Sequence, residues 1–200
     1  MNAAAPPFLL TDDPYFRKGN ARSSGYARHE NDWYVEPRYA IDALLAAETF
    51  NGPIWDPACG SGNIVNACRD HGYPAIGTDI VQRGGANLLL DFLSPDLPTV
   101  HATHIITNPP FKPAVAFTIK ALESVPGKVA ILNRTAWLEG ERRYIELFSR
   151  QHLTTVWQFR RRISMPPGDA SVEARGGSIA FAWFVFRRDY YGSPSLGWLP

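Results

Sequence analysis

Cysteine is scarce in this sequence: Cys59 and Cys68 are the only two among 200 residues. They stand outside any Cys-x-x-Cys pattern and have no histidine at ligand spacing, so no disulfide framework or metal cluster is expected to organise the chain. The histidines His29, His71, His101, His104 and His152 form no ligand or triad spacing and are assigned no role. Charge of one sign is also missing. Lys and Arg total 20 against 19 Asp and Glu, a formal net charge of +1, so bulk electrostatics does not advertise a polyanionic partner. No run approaches the roughly 18 consecutive apolar residues of a membrane span, and residues 1–10 lack the basic and apolar regions of a secretory signal. The expectation is a cytoplasmic protein in a reducing compartment, with no membrane partner and no metal. No segment repeats at a fixed period, which excludes solenoids and propellers.

What the chain does have is alternation. Hydrophobic residues make up 45% and charged ones 20%, an ordinary balance for one globular domain of this length. Residues 1–32 are polar and rich in Arg, Asn and Ser, and read as an N-terminal arm; the domain proper is expected over 33–200. Helices are expected at 37–48, 63–70, 113–124 and 140–150. In the first, Ile41, Leu44 and Leu45 share a face and Pro37 suits the opening turn. Short apolar runs at 53–55, 75–79, 88–92, 105–106, 129–133, 154–160 and 178–186 read as strands. Strands alternating with helices imply a parallel sheet covered on both faces, and the missing helix between the last two strands implies a C-terminal antiparallel hairpin. The expected fold class is therefore α/β, with a mostly parallel seven-stranded sheet.

Asp56-Pro57-Ala58-Cys59-Gly60-Ser61-Gly62 follows the first strand and opens a helix, the place of the glycine-rich loop in doubly wound nucleotide-binding folds. Asp79, at the end of the second strand, has the spacing of a carboxylate that holds ribose hydroxyls. There is no Gly-Lys-Ser/Thr, so a Walker-type phosphate cradle is not expected, and Val65 replaces the third dinucleotide glycine. Asp56 at the head of the loop would repel pyrophosphate and suit an ammonium or sulfonium group. A cationic nucleoside fits, and S-adenosylmethionine is one.

Asn108-Pro109-Pro110-Phe111 follows the apolar run ending at Thr107. Alone it is an ordinary polar turn. At a strand end beside a nucleoside loop it becomes a clamp: two prolines stiffen the backbone and remove two N–H donors. The Asn108 oxygen and the Pro109 carbonyl can then accept both hydrogens of an exocyclic amine. Phe111 offers a face for an aromatic ring. Arginines gather at 17–28, at Arg142-Arg143, at Arg160-Arg161-Arg162 and at Arg187-Arg188. A Pro/Gly-rich connection runs over 164–177, and the segment 160–177, with Met165-Pro166-Pro167-Gly168 and a Gly176-Gly177 hinge, is the candidate for a DNA-facing loop together with the Arg-rich arm.

In this order and spacing, the loop at 56–62, Asp79-Ile80, Asp91-Phe92 and Asn108-Pro109-Pro110-Phe111 resemble the S-adenosylmethionine-dependent amino-methyltransferases, above all the DNA adenine-N6 branch and its small bacteriophage members. The resemblance covers roughly residues 33–200 and implies a Rossmann-like methyltransferase fold. It implies that Asp56, Pro57, Ala58, Gly60 and Gly62 hold the methionine end, Asp79 the ribose, and Ile80, Asp91 and Phe92 the adenine. A Thr-Pro in that family often touches the methionine carboxylate; this chain has Glu36-Pro37, and a second carboxylate would repel the ligand's own. The resemblance further implies direct methyl transfer by Asn108, Pro109, Pro110 and Phe111 onto a base flipped out of DNA. Lys112, Arg160, Arg161 and Arg162 become candidate nucleic-acid contacts, in a monomer or weak dimer that sits in a host cytoplasm if phage-encoded. An RNA base, a protein glutamine amide, or a non-catalytic binding role on the same fold are the alternatives.

Overall fold

Helix α1 (Arg38–Ala47) buries Ala40, Ile41, Leu44 and Leu45 along one side, the stripe that a period of 3.6 residues requires. Pro37 caps it in extended conformation, φ −71° and ψ 144°, so its ring fixes the direction from which the chain enters the helix. The computed structural model describes residues 33–150, 152–168 and 179–200; the expected arm over 1–32 and the Gly176-Gly177 hinge lie outside the described residues.

After α1 come β1 (Ile54–Asp56), α2 (Asn63–Asp70), β2 (Ala75–Asp79), β3 (Leu88–Leu89), β4 (His104–Thr107), α3 (Ala114–Ser124), β5 (Lys128–Arg134), α4 (Glu141–Glu146), β6 (Leu153–Phe159), β7 (Phe181–Arg187) and β8 (Ser195–Leu199). They form one eight-stranded sheet in the order β3-β2-β1-β4-β5-β7-β6-β8. The first five are mutually parallel. β7 runs antiparallel to both neighbours, β5 and β6, and β8 lies parallel to β6.

The expected α/β class holds, with corrections. The sheet has eight strands where seven were expected. The extra strand, β8, carries Gly197 at its centre between Pro194 and Pro200, a composition with little strand propensity. The last hairpin does not simply close an edge, because β7 is inserted between β5 and β6. The third strand is only Leu88–Leu89; the Asp91 carboxylate accepts the Leu93 N–H at 2.9 Å and turns the chain there. The helix expected at 140–150 is reduced to Glu141–Glu146, flanked by 3₁₀ turns at Thr135–Leu138 and Phe148–Arg150.

The period-two alternation of β5 and β7 divides the core. Val129 and Ile131 with Ala182, Phe184 and Phe186 pack on the α3 side. Ala130 and Leu132 with Phe181, Trp183 and Val185 pack on the α1 and α2 side. Both faces of these strands are buried, hence the nearly unbroken apolar run. The Trp183 indole N–H donates to the Ala40 carbonyl at 2.9 Å, so the most deeply buried indole loses no hydrogen bond.

Because β6 is antiparallel to β7 and β7 to β5, β6 ends on the same edge as β1, β2, β4 and β5. That carboxyl edge carries the loops after β1 and β4, on either side of the point where strand order reverses, and it also carries Arg134 and Arg160–Arg162. Ligands of open α/β sheets bind in this crevice. Arg187 and Arg188 end β7 and fall on the opposite edge.

Candidate active site

The loop after β1 folds tightly because two of its residues sit in the left-handed region, Gly60 at φ +52° and Gly62 at φ +89°, which glycine adopts without a Cβ penalty. A Cβ on Gly60 would stand 2.8 Å from the Trp33 indole nitrogen. The loop thus lies directly beneath Trp33.

The loops after β1, β2, β3 and β4 enclose a pocket of about 220 Å³. Pro57, Ala58 and Gly60 line it from the first loop, and Asp79 and Ile80 from the second. Asp91 and Phe92 contribute after β3, and Asn108 and Pro110 after β4. Nine residues expected at a site from sequence alone therefore share one cavity. Asp56, Gly62 and Pro109 are buried around it without lining it. Pro37, Phe111 and Lys112 do not line it: Pro37 is taken up in capping α1, and Lys112 is exposed and borders a separate groove with Trp137, Arg142 and Arg143.

Asn108 is held from below. Its amide nitrogen donates to the Tyr34 carbonyl at 2.8 Å and to the Glu36 carboxylate at 2.9 Å. Both amide hydrogens face protein acceptors, so the amide oxygen is the group left to address the pocket. The sequence reading placed Glu36 near a ligand carboxylate. In the structure its carboxylate turns to Asn108 instead.

Asp79 is engaged by its own chain. One oxygen accepts the Gly60 N–H at 2.8 Å; the other accepts the Val81 N–H at 2.9 Å and the Arg83 guanidinium at 2.8 Å. Arg83 lies 4.7 Å over the Trp33 ring, and both residues line the pocket. A ribose at Asp79 must share the carboxylate with Arg83 or displace it.

Glu36, Asp56 and Asp79 are all buried. Burial pushes Glu36 from 4.5 up to about 7, opposed by its hydrogen bond from Asn108. Burial also holds Asp56 well above the usual carboxylate range, and the neighbouring Glu36 and Asp79 charges act in the same direction. A buried acidic group of this kind favours a cation beside it. Cys59 and Cys68 are free and buried; desolvation pushes each thiol up to about 12, so neither is a nucleophile at neutral pH.

Phe111 borders the neighbouring groove with Lys112 rather than this cavity. Its ring stacks on Tyr34 with centroids 5.6 Å apart and touches Phe181 at 6.1 Å, and the Arg134 guanidinium lies 4.5 Å over it. The segment expected to face a nucleic acid is packed against the domain over 163–168. Ile163 and Met165 are buried, and the chain pairs with residues 33–35: the Val35 N–H donates to the Pro166 carbonyl at 2.9 Å and the Gly168 N–H to the Trp33 carbonyl at 3.1 Å. Two apolar side chains drew this stretch into the core, and it became a strap holding Trp33 and Tyr34 over the site.

Sequence reasoning missed Glu36, Arg83 and Phe117 as lining residues. The Glu36-Pro37 departure was the one visible signal among them.

No family profile and no curated protein matches this sequence. Solved structures do. The modification subunit of a provisionally assigned type I restriction enzyme from Vibrio vulnificus aligns over 81% of this chain at 16% identity and TM-score 0.55. The chain spans 45% of that subunit's length. A provisionally assigned RNA methyltransferase from Pyrococcus horikoshii aligns over 77% of this chain and 85% of its own, at 19% identity and TM-score 0.58. A provisionally assigned O-methyltransferase from Agrobacterium tumefaciens covers 82% and 85%, at 14% identity and TM-score 0.54. The likeness shows the fold: this is the Rossmann-like fold of methyltransferases. Among the described residues no helix is long and apolar enough to cross a membrane, and no group of three or more potential ligands could hold a metal ion.

Proposed function

We propose that this chain transfers a methyl group from S-adenosylmethionine to an exocyclic amino nitrogen, N6 of an adenine flipped out of DNA. The observation that carries the reading is the tethered amide of Asn108, whose oxygen alone is left to address a pocket shared with the glycine loop and a group of buried carboxylates.

The pocket suits the cofactor. Gly60 and Ala58 offer a close backbone surface to its methionine end, and the acidity around Asp56 matches its ammonium and sulfonium charges. Asp79 holds the ribose on release from Arg83. Ile80 and Phe92 present apolar surface to the adenine, with Asp91 at its polar edge. When bound, S-adenosylmethionine supplies an electrophilic methyl group on sulfonium.

The exocyclic amine of a base is a poor nucleophile because its lone pair is delocalised into the ring. Asn108 Oδ1 and the Pro109 carbonyl accept its two hydrogens, draw it out of the ring plane and aim the lone pair. This is positioning joined to stabilisation of positive charge developing on nitrogen. Pro109 and Pro110 fix the angle. Phe111 is the stacking surface for the flipped base, with Arg134 yielding the face it now covers. Lys112 and Arg160–Arg162 take phosphates beside the crevice.

The resemblance of the loop at 56–62 to the DNA branch favours DNA over RNA or a protein amide. A tritiated-methyl assay against DNA, RNA and protein pools, followed by nucleoside analysis, tests this. Label in N6-methyladenine from DNA is the expected result. Label confined to RNA or protein overturns the substrate, and no label in any pool overturns the activity.

A further inference from the structure

We infer that Glu36 is a positioning residue: through the Asn108 amide it fixes the direction of the acceptor oxygen and lends that oxygen part of its negative charge. The inference rests on the proposed function for its catalytic consequence, and on geometry alone for the pairing.

Asn108 Nδ2 has two hydrogens and two acceptors, the Tyr34 carbonyl at 2.8 Å and the Glu36 carboxylate at 2.9 Å. Rotating the amide by half a turn would set its oxygen against two oxygens in a buried site, which costs at least the lost hydrogen bonds. The orientation is therefore locked. An ionised Glu36 does more, since a charged acceptor on the nitrogen side polarises the amide and makes its oxygen a better acceptor. A neutral Asn108 backed by Glu36 then behaves toward a developing ammonium much as a carboxylate would, without placing a bare charge against the reacting nitrogen.

Glu36 is itself supported. The Asn63 side-chain N–H donates to its main-chain carbonyl at 3.2 Å, which ties it to the start of α2. The strap fixes residues 33–35 just before it. The charged group it interacts with is Asp56 at the end of β1; Asp79 and Arg83, from β2 and the turn beyond, and Tyr34 line the same pocket. Burial moves the Glu36 carboxyl up to about 7, so its ionisation, and with it the polarity of Asn108, changes across neutral pH. The family resemblance sets position 36 beside a ligand carboxylate, which Glu36 would repel; the fold directs its carboxylate to Asn108.

The test uses the full chain and its Glu36→Gln variant, which keeps an oxygen for Asn108 and removes the charge. With ¹⁵N labelling, the Asn108 side-chain amide pair is assigned by its loss in Asn108→Asp. In the wild type this pair should shift with pH in one step centred near 7; in Glu36→Gln it should stay still. Methyl transfer in Glu36→Gln should show kcat lower by about tenfold to a hundredfold, S-adenosylmethionine Kd within about threefold, and loss of the acid limb of the wild-type kcat/KM profile. An Asn108 pair whose resonances are the same in the wild type and in Glu36→Gln at every pH overturns the pairing. An unchanged kcat with cofactor Kd weakened tenfold or more overturns the positioning role and assigns Glu36 to the ligand's ammonium. If the wild type methylates nothing, the proposed function falls alone, and the resonance titration still decides the role of Glu36.

Discussion

At the scale of single residues, the site is a set of acids whose partners are drawn from their own chain. Asn108→Ala removes the amine acceptor and leaves in place the glycine loop and Asp79, the groups read as holding the cofactor. It should lower kcat by about a hundredfold or more with cofactor Kd unchanged, as read by single-turnover kinetics and calorimetric titration. Asp79→Ala should do the converse and weaken cofactor binding, although part of that loss will come from freeing Gly60 and Arg83, both of which it holds at 2.8 Å. Glu36 gives a pH prediction. Its folded value of about 7 exceeds its ordinary 4.5, so its contribution to stability is fully present below about 4.5 and is lost as pH rises through about 7. The difference amounts to roughly 3 kcal/mol. Glu36→Gln should therefore melt above the wild type at pH 8, with the gap closing toward pH 4.5; equal melting curves at both ends would contradict it. Asp56 is raised by the same burial, so some decline with pH should survive in the variant.

At the scale of elements, the clearest sequence signals came from strands and loops whose chemistry is local. The glycine loop was readable because left-handed backbone at Gly60 and Gly62 needs glycine wherever the chain goes next. The apolar run of β7 was readable because both its faces are covered. Phe184, fully buried against Trp137 with centroids 5.1 Å apart, should cost about 3–5 kcal/mol when replaced by Ala, measured by urea unfolding. A cost below about 1 kcal/mol would mean that this face of β7 is not packed as described. The packing of the segment over 163–168 was not legible for a physical reason. Its prolines and glycine look like a loop, yet what fixed it was the burial of Ile163 and Met165 and pairing with residues 33–35, some 130 positions away. No local pattern announces a partner so distant.

At the scale of the whole molecule, the net charge of +1 conceals an asymmetry that topology creates. Because β5 and β6 run the same way, Arg134 and the exposed Arg160, Arg161 and Arg162 gather on the edge that carries Asn108. Arg187 and Arg188 end up opposite. If the edge group contacts phosphates, replacing Arg160, Arg161 and Arg162 by Ala should flatten the slope of log K against log salt for DNA by up to about 2.7, whereas replacing Arg187 and Arg188 should leave it unchanged. Equal effects at the two edges would remove these arginines from the interface. The sequence by itself determined the alternation of strands and helices, the glycine loop, the acid after β2 and the Asn108-Pro109-Pro110 turn after β4, because each depends on conformational preferences or spacing within a few residues. Only the tertiary structure decided that Glu36 backs Asn108, that Arg134 covers Phe111 and that residues 163–168 hold residues 33–35 over the pocket. Those contacts join groups far apart in the sequence, and the direction in which a buried polar group turns is set by whichever partner the packed fold brings within hydrogen-bonding distance.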